Sequence, residues 1–462
     1  MIKNKYIDLI EQTFYFPRHG FDLKNSELTF YDIPLMDMIE EFGTPLKFTF
    51  LPKISMQIQN AQQRFAKAIK KNSYNGTYNY CYCTKSSHFN FVLEEALKND
   101  IGLETSSAYD LDIIRLLNER GLFPKNKAII CNGYKTDEYA KKITEMVRDG
   151  FENLTPVLDN PDEIDKYNLY DVNLKLGIRI ATEEEPDSAY YTSRLGMSSK
   201  KIKDLYLEKI KNNPKYKLTM LHFFVNTGIK DTTYYWSELA RLINVYCDVK
   251  EYAPELEGLD IGGGMPIYNT LGIEYDYEYM IDQIIIYIKT ICTDRGVKEP
   301  NIYSEFGQYT VGESGGIIYS IIGQKEQNDK ELWYMIDSSF ITTLPDTWGI
   351  GQKFILLAIN HWDNPFKRIN LGGITCDSQD YYNSDSQTTQ VFMPTIGAGE
   401  KLYMGFFHTG AYQESIGGYG GIQHCLIPAP KHVLIDVVDG KFTYKLFAPE
   451  QKADSMLSIL GY

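Results

Sequence analysis

Between residues 45 and 315 the chain alternates short apolar runs with stretches whose apolar positions recur every three to four residues. The apolar runs predict strands at Tyr78–Cys83, Gly102–Thr105, Ala128–Cys131, Pro156–Leu158, Lys175–Ile180, Thr219–Val225, Gly258–Ile261 and Asn301–Ser304. Helical periodicity fills most of the gaps, as at Phe91–Leu97, Ala108–Leu117, Asp137–Val147 and Tyr234–Val245. Strands alternating with helices in this way predict an α/β fold, a (β/α)8 TIM barrel, with chemistry gathered at the strands' carboxyl ends. From residue 316 to 462 the pattern changes. Short β-prone runs (Gly316–Ile322, Leu332–Ile336, Phe354–Ile359, Leu402–Phe407, His432–Asp436) are separated by turn residues, which predicts a mostly antiparallel β domain. The tail Pro449–Leu460 reads as a closing helix, and residues 1–44 as a leading segment that contributes to the β domain.

Length supports the two-domain reading, since 462 residues exceed one ordinary core. A hydrophobic fraction of 43% and a charged fraction of 23% are those of a globular protein. The net charge of −14 disfavours nucleic acid and anionic membrane as partners and would steer a cationic small substrate; an acidic surface kept for solubility explains it equally well. Seven cysteines form no disulfide framework, and no His/Cys/Asp cluster has metal-ligand spacing. Cys81 and Cys83, two apart on one strand, read as small buried hydrophobes. The start, Met1–Asp8, has no signal-peptide core, and the apolar stretches are interrupted by Asp, Gln or Lys, so a cytoplasmic location is expected.

The candidate chemistry sits where the predicted strands end. The stretch Tyr80-Cys81-Tyr82-Cys83-Thr84-Lys85-Ser86-Ser87-His88-Phe89 reads as a buried strand delivering one lysine. If burial or neighbouring charge lowers its pKa, Lys85 can form a Schiff base with an aldehyde; most lysines in such a place are simply solvated. The other strand ends carry Glu104, Asn132, Asp159, Arg179, the His222–Thr227 stretch, Gly262-Gly263-Gly264 and Glu305. Consecutive glycines let backbone N–H groups crowd around a phosphate, although a tight turn explains them as readily. Glu305 could hold a pyridine nitrogen in its protonated form, or sit in a surface salt bridge. Downstream, Cys376-Asp377 follows Gly372-Gly373-Ile374-Thr375 and pairs a proton-donating thiol with a carboxylate; a buried structural cysteine is the commoner case.

Taken in order, these motifs resemble the fold-type III pyridoxal-phosphate decarboxylases, which include ornithine, arginine and diaminopimelate decarboxylases. The resemblance runs from about Gly43 to the C-terminus. Thr84-Lys85 is similar to the family's Schiff-base lysine, Gly102–Ser107 to its acidic second strand, and Leu176–Ile180 with Ser193–Gly196 to its arginine strand and following loop. Leu259–Gly264 resembles the phosphate glycines and Glu305 the pyridinium partner. Cys376-Asp377 resembles the loop donated by the second subunit, and Gly410-Ala411-Tyr412 the tyrosine turn that reaches the phosphate. The resemblance implies an alanine-racemase-like architecture, pyridoxal 5'-phosphate as cofactor and a homodimer with shared active sites. It implies catalytic roles for Lys85, Glu305 and Cys376. Cofactor contacts are implied from Lys85, Glu104, Arg179, Phe224, Thr227, Gly262, Gly263, Gly264, Glu305, Gln308 and Tyr412.

Within the family, Ser339–Ile350 together with Thr375–Ser378 looks most like biosynthetic arginine decarboxylases, which make agmatine for polyamine synthesis. A guanidinium wants planar carboxylates, and Asp346, Asp377 and Asp380 can offer them. Asp337–Trp348 lacks the Arg or Lys that a second substrate carboxylate would want. Ornithine, lysine, diaminopimelate and carboxyspermidine-type substrates stay open, as does a non-catalytic homologue. Three positions depart from the family pattern: Phe224 stands where a histidine usually stacks on the ring, Thr227 replaces a phosphate-binding serine, and Glu305-Phe306-Gly307-Gln308 replaces Glu-Pro-Gly-Arg.

Overall fold

The computed structural model describes residues 4–182, 193–329, 331–382 and 390–462. They pack as two units, one of residues 55–266 and 275–310, the other of residues 1–54, 267–274 and 311–462.

The first unit is a closed barrel of eight strands, each paired in parallel with the next in chain order, the last (Asn301–Glu305) closing on the first (Tyr78–Cys83). Between them lie Gly102–Thr105, Ile129–Cys131, Leu154–Leu158, Leu174–Arg179, Tyr216–His222 and Gly258–Asp260. The strand predicted at Thr219–Val225 is displaced toward the N-terminus: regular pairing ends at His222, the Phe223 N–H still donates to the Asp260 carbonyl at 3.0 Å, and Phe224–Val225 lie outside the strand.

The first strand shows how the sequence builds the site. Its even positions are large and its odd positions small, so a two-residue period sorts them onto opposite faces. Tyr78 stacks on Phe65 of the preceding helix (Leu51–Lys71) at 3.7 Å, and the Tyr80 hydroxyl bonds Thr310 Oγ1 at 2.7 Å. Cys81 packs with Ile130, Val157 and Met220, side chains from three other strands. The strand then ends in a single 3-10 turn, Thr84–Ser86, which carries Lys85. Helix starts are fixed by polar caps: Ser107, Thr136, Thr232 and Asp276 each accept from the backbone N–H three residues on, worth about 1 kcal/mol apiece.

The second unit is a nine-stranded, mostly antiparallel sheet with a small three-stranded sheet from residues 21–34. Its long strand, Gly315–Asn328, pairs with Glu331–Ile336, Tyr403–Phe407 and Leu46–Phe50. Leu46–Phe50 in turn pairs in parallel with Lys431–Val438. The sheet unit therefore reaches past the boundary at residue 44 expected from the sequence, because Leu46–Phe50 is one of its inner strands. Phe21, Phe30, Phe48, Phe407 and Ile317 are among the residues of its core. Strands not expected from the sequence include Phe366–Gly372, whose exposed start carries Lys367 and Arg368, Gln390–Pro394 and Lys441–Ala448. The closing helix is Ala453–Leu460.

Candidate active site

At the barrel's carboxyl end the lysine predicted from the first strand meets the acid from the second. Register places Cys83 beside Glu104, and the Lys85 Nζ donates to Glu104 Oε2 at 2.9 Å. The Glu104 side chain is fully buried, that of Lys85 45% exposed. Burial alone would lower the lysine's pKa. The Cys83 sulfur and the Glu104 and Glu305 carboxylates outweigh it and hold Lys85 well above its ordinary value. Lys85 is thus an ammonium in this arrangement, against the lowered pKa that the sequence reading invoked.

Glu305, from the last strand, is the second pole of the site. Asn132, just after the third strand, bridges the two acids, its Nδ2 lying 3.0 Å from Glu104 Oε1 and 2.7 Å from Glu305 Oε1. His222 Nε2 lies 3.3 Å from Glu305 Oε2, and Asp260 completes a buried cluster with both. Burial opposes ionisation of Glu305, but His222, Lys85 and a hydrogen bond from Asp260 hold its carboxyl well below the usual range. Burial and the Glu305 charge push Asp260 the other way, well above its ordinary value. One proton therefore stays on Asp260 while Glu305 is ionised. Cys83, read as an inert small hydrophobe, also borders the site: its Sγ donates to the Glu305 carbonyl at 3.1 Å. Among the described residues, two groups of metal-type donors lie within 4.8 Å of one another, Cys83-Glu104-Glu305 and His222-Asp260-Glu305.

Asn132, His222 and Asp260 were not singled out as partners of Glu305 from the sequence. The available signal was their position, each a polar residue at the buried end of a barrel strand, with His222 level with Asp260. Asp159 has a quieter role: its Oδ1 accepts from the Gly196 N–H at 2.7 Å and pins the loop after the arginine strand. Arg179 is the last residue of that strand and is half-buried. Phe224 lies in the turn beyond His222, and Gln308 opens the short helix Gln308–Val311; both are half-buried.

The glycine loop is crowded from below. Side chains at Gly262, Gly263 or Gly264 would put a Cβ 2.4 Å from the Phe223 carbonyl oxygen, 2.5 Å from the Glu305 carbonyl oxygen and 2.8 Å from the Gly228 Cα, respectively. Gly262 and Gly264 also have φ of +69° and +91°, which side chains disfavour. The Gly262 N–H is taken by Asp260 Oδ1 at 2.8 Å, whereas among the described residues the Gly263 and Gly264 N–H groups have no acceptor. Nearby in sequence to the stacking position, the Thr227 hydroxyl is buried without a hydrogen-bond partner. Free donors in a glycine turn are what an anionic group such as a phosphate requires.

In the sheet unit, Cys376 is exposed rather than buried. Asp377 stays partly exposed, with Oδ2 3.1 Å from His424 Nε2. The other two aspartates expected to hold a guanidinium are engaged elsewhere. Asp380 is buried and ties its own loop to the helix start at Phe340: Oδ1 accepts from Phe340 N–H at 2.8 Å, and Oδ2 from Thr375 N–H at 3.1 Å and Thr375 Oγ1 at 2.7 Å. Asp346 is buried and accepts from Gln413 Nε2 at 2.8 Å; burial raises its pKa. Gln413 follows Tyr412, whose φ of +69° makes the turn, so Asp346 braces the tyrosine turn.

A closed parallel barrel, with a lysine and two acids at its mouth and a crowded glycine loop beside them, defines a barrel enzyme built around an anionic cofactor. Residues 55–312 match the family model for the pyridoxal-dependent decarboxylase, pyridoxal binding domain, and the chain belongs to that family. Over 91% of its length it is similar to a biosynthetic arginine decarboxylase of Prochlorococcus marinus, at 22% identity and 83% coverage of that protein. Among solved structures it resembles the biosynthetic arginine decarboxylase of Campylobacter jejuni (TM-score 0.81, 19% identity, 99% of this chain and 90% of that one). It also resembles a diaminopimelate decarboxylase from M. jannaschii (TM-score 0.78, 17% identity, 95% of this chain and 97% of that one). The alanine-racemase-like architecture and pyridoxal phosphate as cofactor follow from the family.

The barrel mouth fits that cofactor: the free Gly263 and Gly264 amides and the unpartnered Thr227 hydroxyl suit its phosphate, and ionised Glu305 suits a protonated ring nitrogen. Gly263→Ala is accordingly expected to weaken pyridoxal phosphate binding about 5- to 150-fold, since displacing the loop against the Glu305 backbone costs on the order of 1–3 kcal/mol. Spectroscopic titration with the cofactor measures this directly, and unchanged affinity would remove the loop from the phosphate site.

Proposed function

We propose that the protein decarboxylates a basic amino acid, foremost L-arginine to agmatine and carbon dioxide, as a cytoplasmic homodimer. The observation that carries the reading is the chain of contacts Lys85–Glu104–Asn132–Glu305 at the barrel mouth. Among the described residues no helix is long and apolar enough to cross a membrane.

Bound pyridoxal phosphate supplies an electron sink for the carbanion left when carbon dioxide departs. Gly263, Gly264, Thr227, Gln308 and Tyr412 would hold its phosphate, Phe224 would stack on its ring, and Arg179 would face its phenolate oxygen. Ionised Glu305 would keep the ring nitrogen protonated, with Asn132, His222 and Asp260 fixing that carboxylate in place. Lys85 must shed a proton before it can act as a nucleophile, and Glu104, 2.9 Å away, is the base in contact with it. Each sheet unit would present Cys376 and Asp377 to the barrel of the other copy. Cys376 would then return a proton to Cα, while Asp377 holds the distal cation.

Arginine is favoured by the names of the relatives, while the net charge of −14 and Asp377 beside the thiol suit a cationic side chain of either kind. A second reading, a different diamine acid such as ornithine or lysine, is favoured by the engagement of Asp346 and Asp380, because a single carboxylate serves an ammonium as well as a guanidinium. Carbon dioxide release from arginine, ornithine, lysine and diaminopimelate, with added cofactor, separates the two. Release from arginine at least tenfold above the others is expected. Preference for another amino acid would keep the chemistry and discard the guanidinium assignment. No release from any of them would favour a non-catalytic homologue.

A further inference from the structure

We propose that Cys376 and Cys425 form an oxidisable dithiol whose closure to an intramolecular disulfide switches the enzyme off. Both thiols are exposed, and their Sγ atoms lie 3.9 Å apart although the residues are 49 positions apart in the chain. The five other cysteines are buried, including Cys247 and Cys292, which lie close enough to influence each other. Among the cysteines of one copy, an oxidant therefore meets the Cys376–Cys425 pair first.

The two sulfurs are held near one another from both sides. Asp380 braces the Cys376 loop through Phe340 N–H and the Thr375 N–H and hydroxyl. His424, next to Cys425 in the short turn His424–Leu426, reaches Asp377 at 3.1 Å, next to Cys376. This contact clamps the two segments one residue away from the thiols. A disulfide needs the sulfurs about 2 Å apart, so they must close by roughly 2 Å, within the reach of side-chain rotation at exposed positions. The pair is not part of a metal-type cluster: among the described residues, groups of three or more such donors within 4.8 Å of one another occur only at the barrel mouth.

A low-molecular-weight disulfide such as oxidised glutathione supplies the oxidising equivalents. One protein thiolate attacks a glutathione sulfur, forming a mixed disulfide and expelling one glutathione thiolate. The second protein thiolate then attacks the protein sulfur of that mixed disulfide and expels the other glutathione. The protein loses two protons and two electrons, and the oxidant becomes two thiols. The effect on turnover rests on the reading of Cys376 as the proton donor, because a disulfide sulfur has no proton to give.

The test uses the full-length protein with pyridoxal phosphate bound, incubated with oxidised glutathione. Expected is a mass loss of about 2 Da, a mapped Cys376–Cys425 linkage and a decarboxylation rate at least tenfold lower, restored by dithiothreitol. Cys425→Ser should keep its starting activity and resist the oxidant. Separate glutathione adducts, a Cys247–Cys292 linkage, a bond between subunits or no linkage would each overturn the proposal. A Cys376–Cys425 bond with unchanged turnover would overturn the switch and the donor role of Cys376, but not the chemistry assigned to Lys85. The mapping is readable even from a protein that turns over none of the amino acids tried, so failure of the dithiol and failure of the decarboxylase reading are distinct.

Discussion

Lys85→Ala is expected to lower turnover by more than about a thousandfold and to abolish the visible absorption of a covalently held cofactor. The side chain is the only amine in contact with Glu104 among the described residues, and it stands where the first strand hands over to a single turn. Alanine also removes the cation that offsets two buried carboxylates, so lost activity alone would not separate chemistry from collapse of the site. Lys85→Arg makes the separation. It keeps a charge beside Glu104 but offers no nucleophilic amine, since guanidinium stays protonated. Both variants should lose turnover and the lysine-linked band, while Lys85→Arg should melt closer to the parent than Lys85→Ala. A visible band surviving in Lys85→Arg would show that another lysine holds the cofactor. Lys135 is the nearest alternative by character, being buried with its pKa lowered by burial, yet its Nζ already donates to the Gly133 and Val157 carbonyls at 2.6 Å.

The second large effect is expected at Glu305. Glu305→Gln keeps the shape and can keep one acceptor for Asn132, but it removes the charge that His222, Lys85 and Asp260 are arranged around. Turnover should fall on the order of 10²–10³-fold, about 3–4 kcal/mol of transition-state stabilisation, the range seen when one preorganised group is deleted from a buried site. The loss should appear in kcat rather than KM, because the charge acts on the reacting ring and not on the substrate's distal end. The bound cofactor's spectrum should also become sensitive to pH, since the ring nitrogen no longer has an anion to keep it protonated. A variant with the parent's spectrum and kcat would assign Glu305 to structure only.

Much of the barrel was legible because its strands are buried on both faces and end abruptly in polar residues. Lys85, Glu104 and Glu305 could be placed at the mouth by counting from those ends. What could not be read was which groups meet across the barrel. Asn132 and Glu305 are 173 positions apart, and their contact depends on strands three and eight facing one another inside a closed ring. Nor did the sequence reveal that Asp380 uses its carboxylate to join Thr375 to Phe340. An aspartate after Cys376 looks alike in composition whether it faces outward, as Asp377 does, or inward. The protonation of Lys85 was illegible for a related reason: the acids that hold its proton come from other strands.

The strand Leu46–Phe50 has a consequence for how the molecule is made. It is synthesised early, yet the strands that flank it begin only at Gly315 and Lys431. While a ribosome works through the barrel, a nascent chain carries this half-apolar strand with both hydrogen-bonding edges open, a template for pairing with other chains. A premature stop between Glu305 and Gly315 would leave a fragment holding all eight barrel strands and neither partner of Leu46-Lys47-Phe48-Thr49-Phe50. Chaperone demand should therefore fall on the first fifty residues rather than on the barrel that follows them.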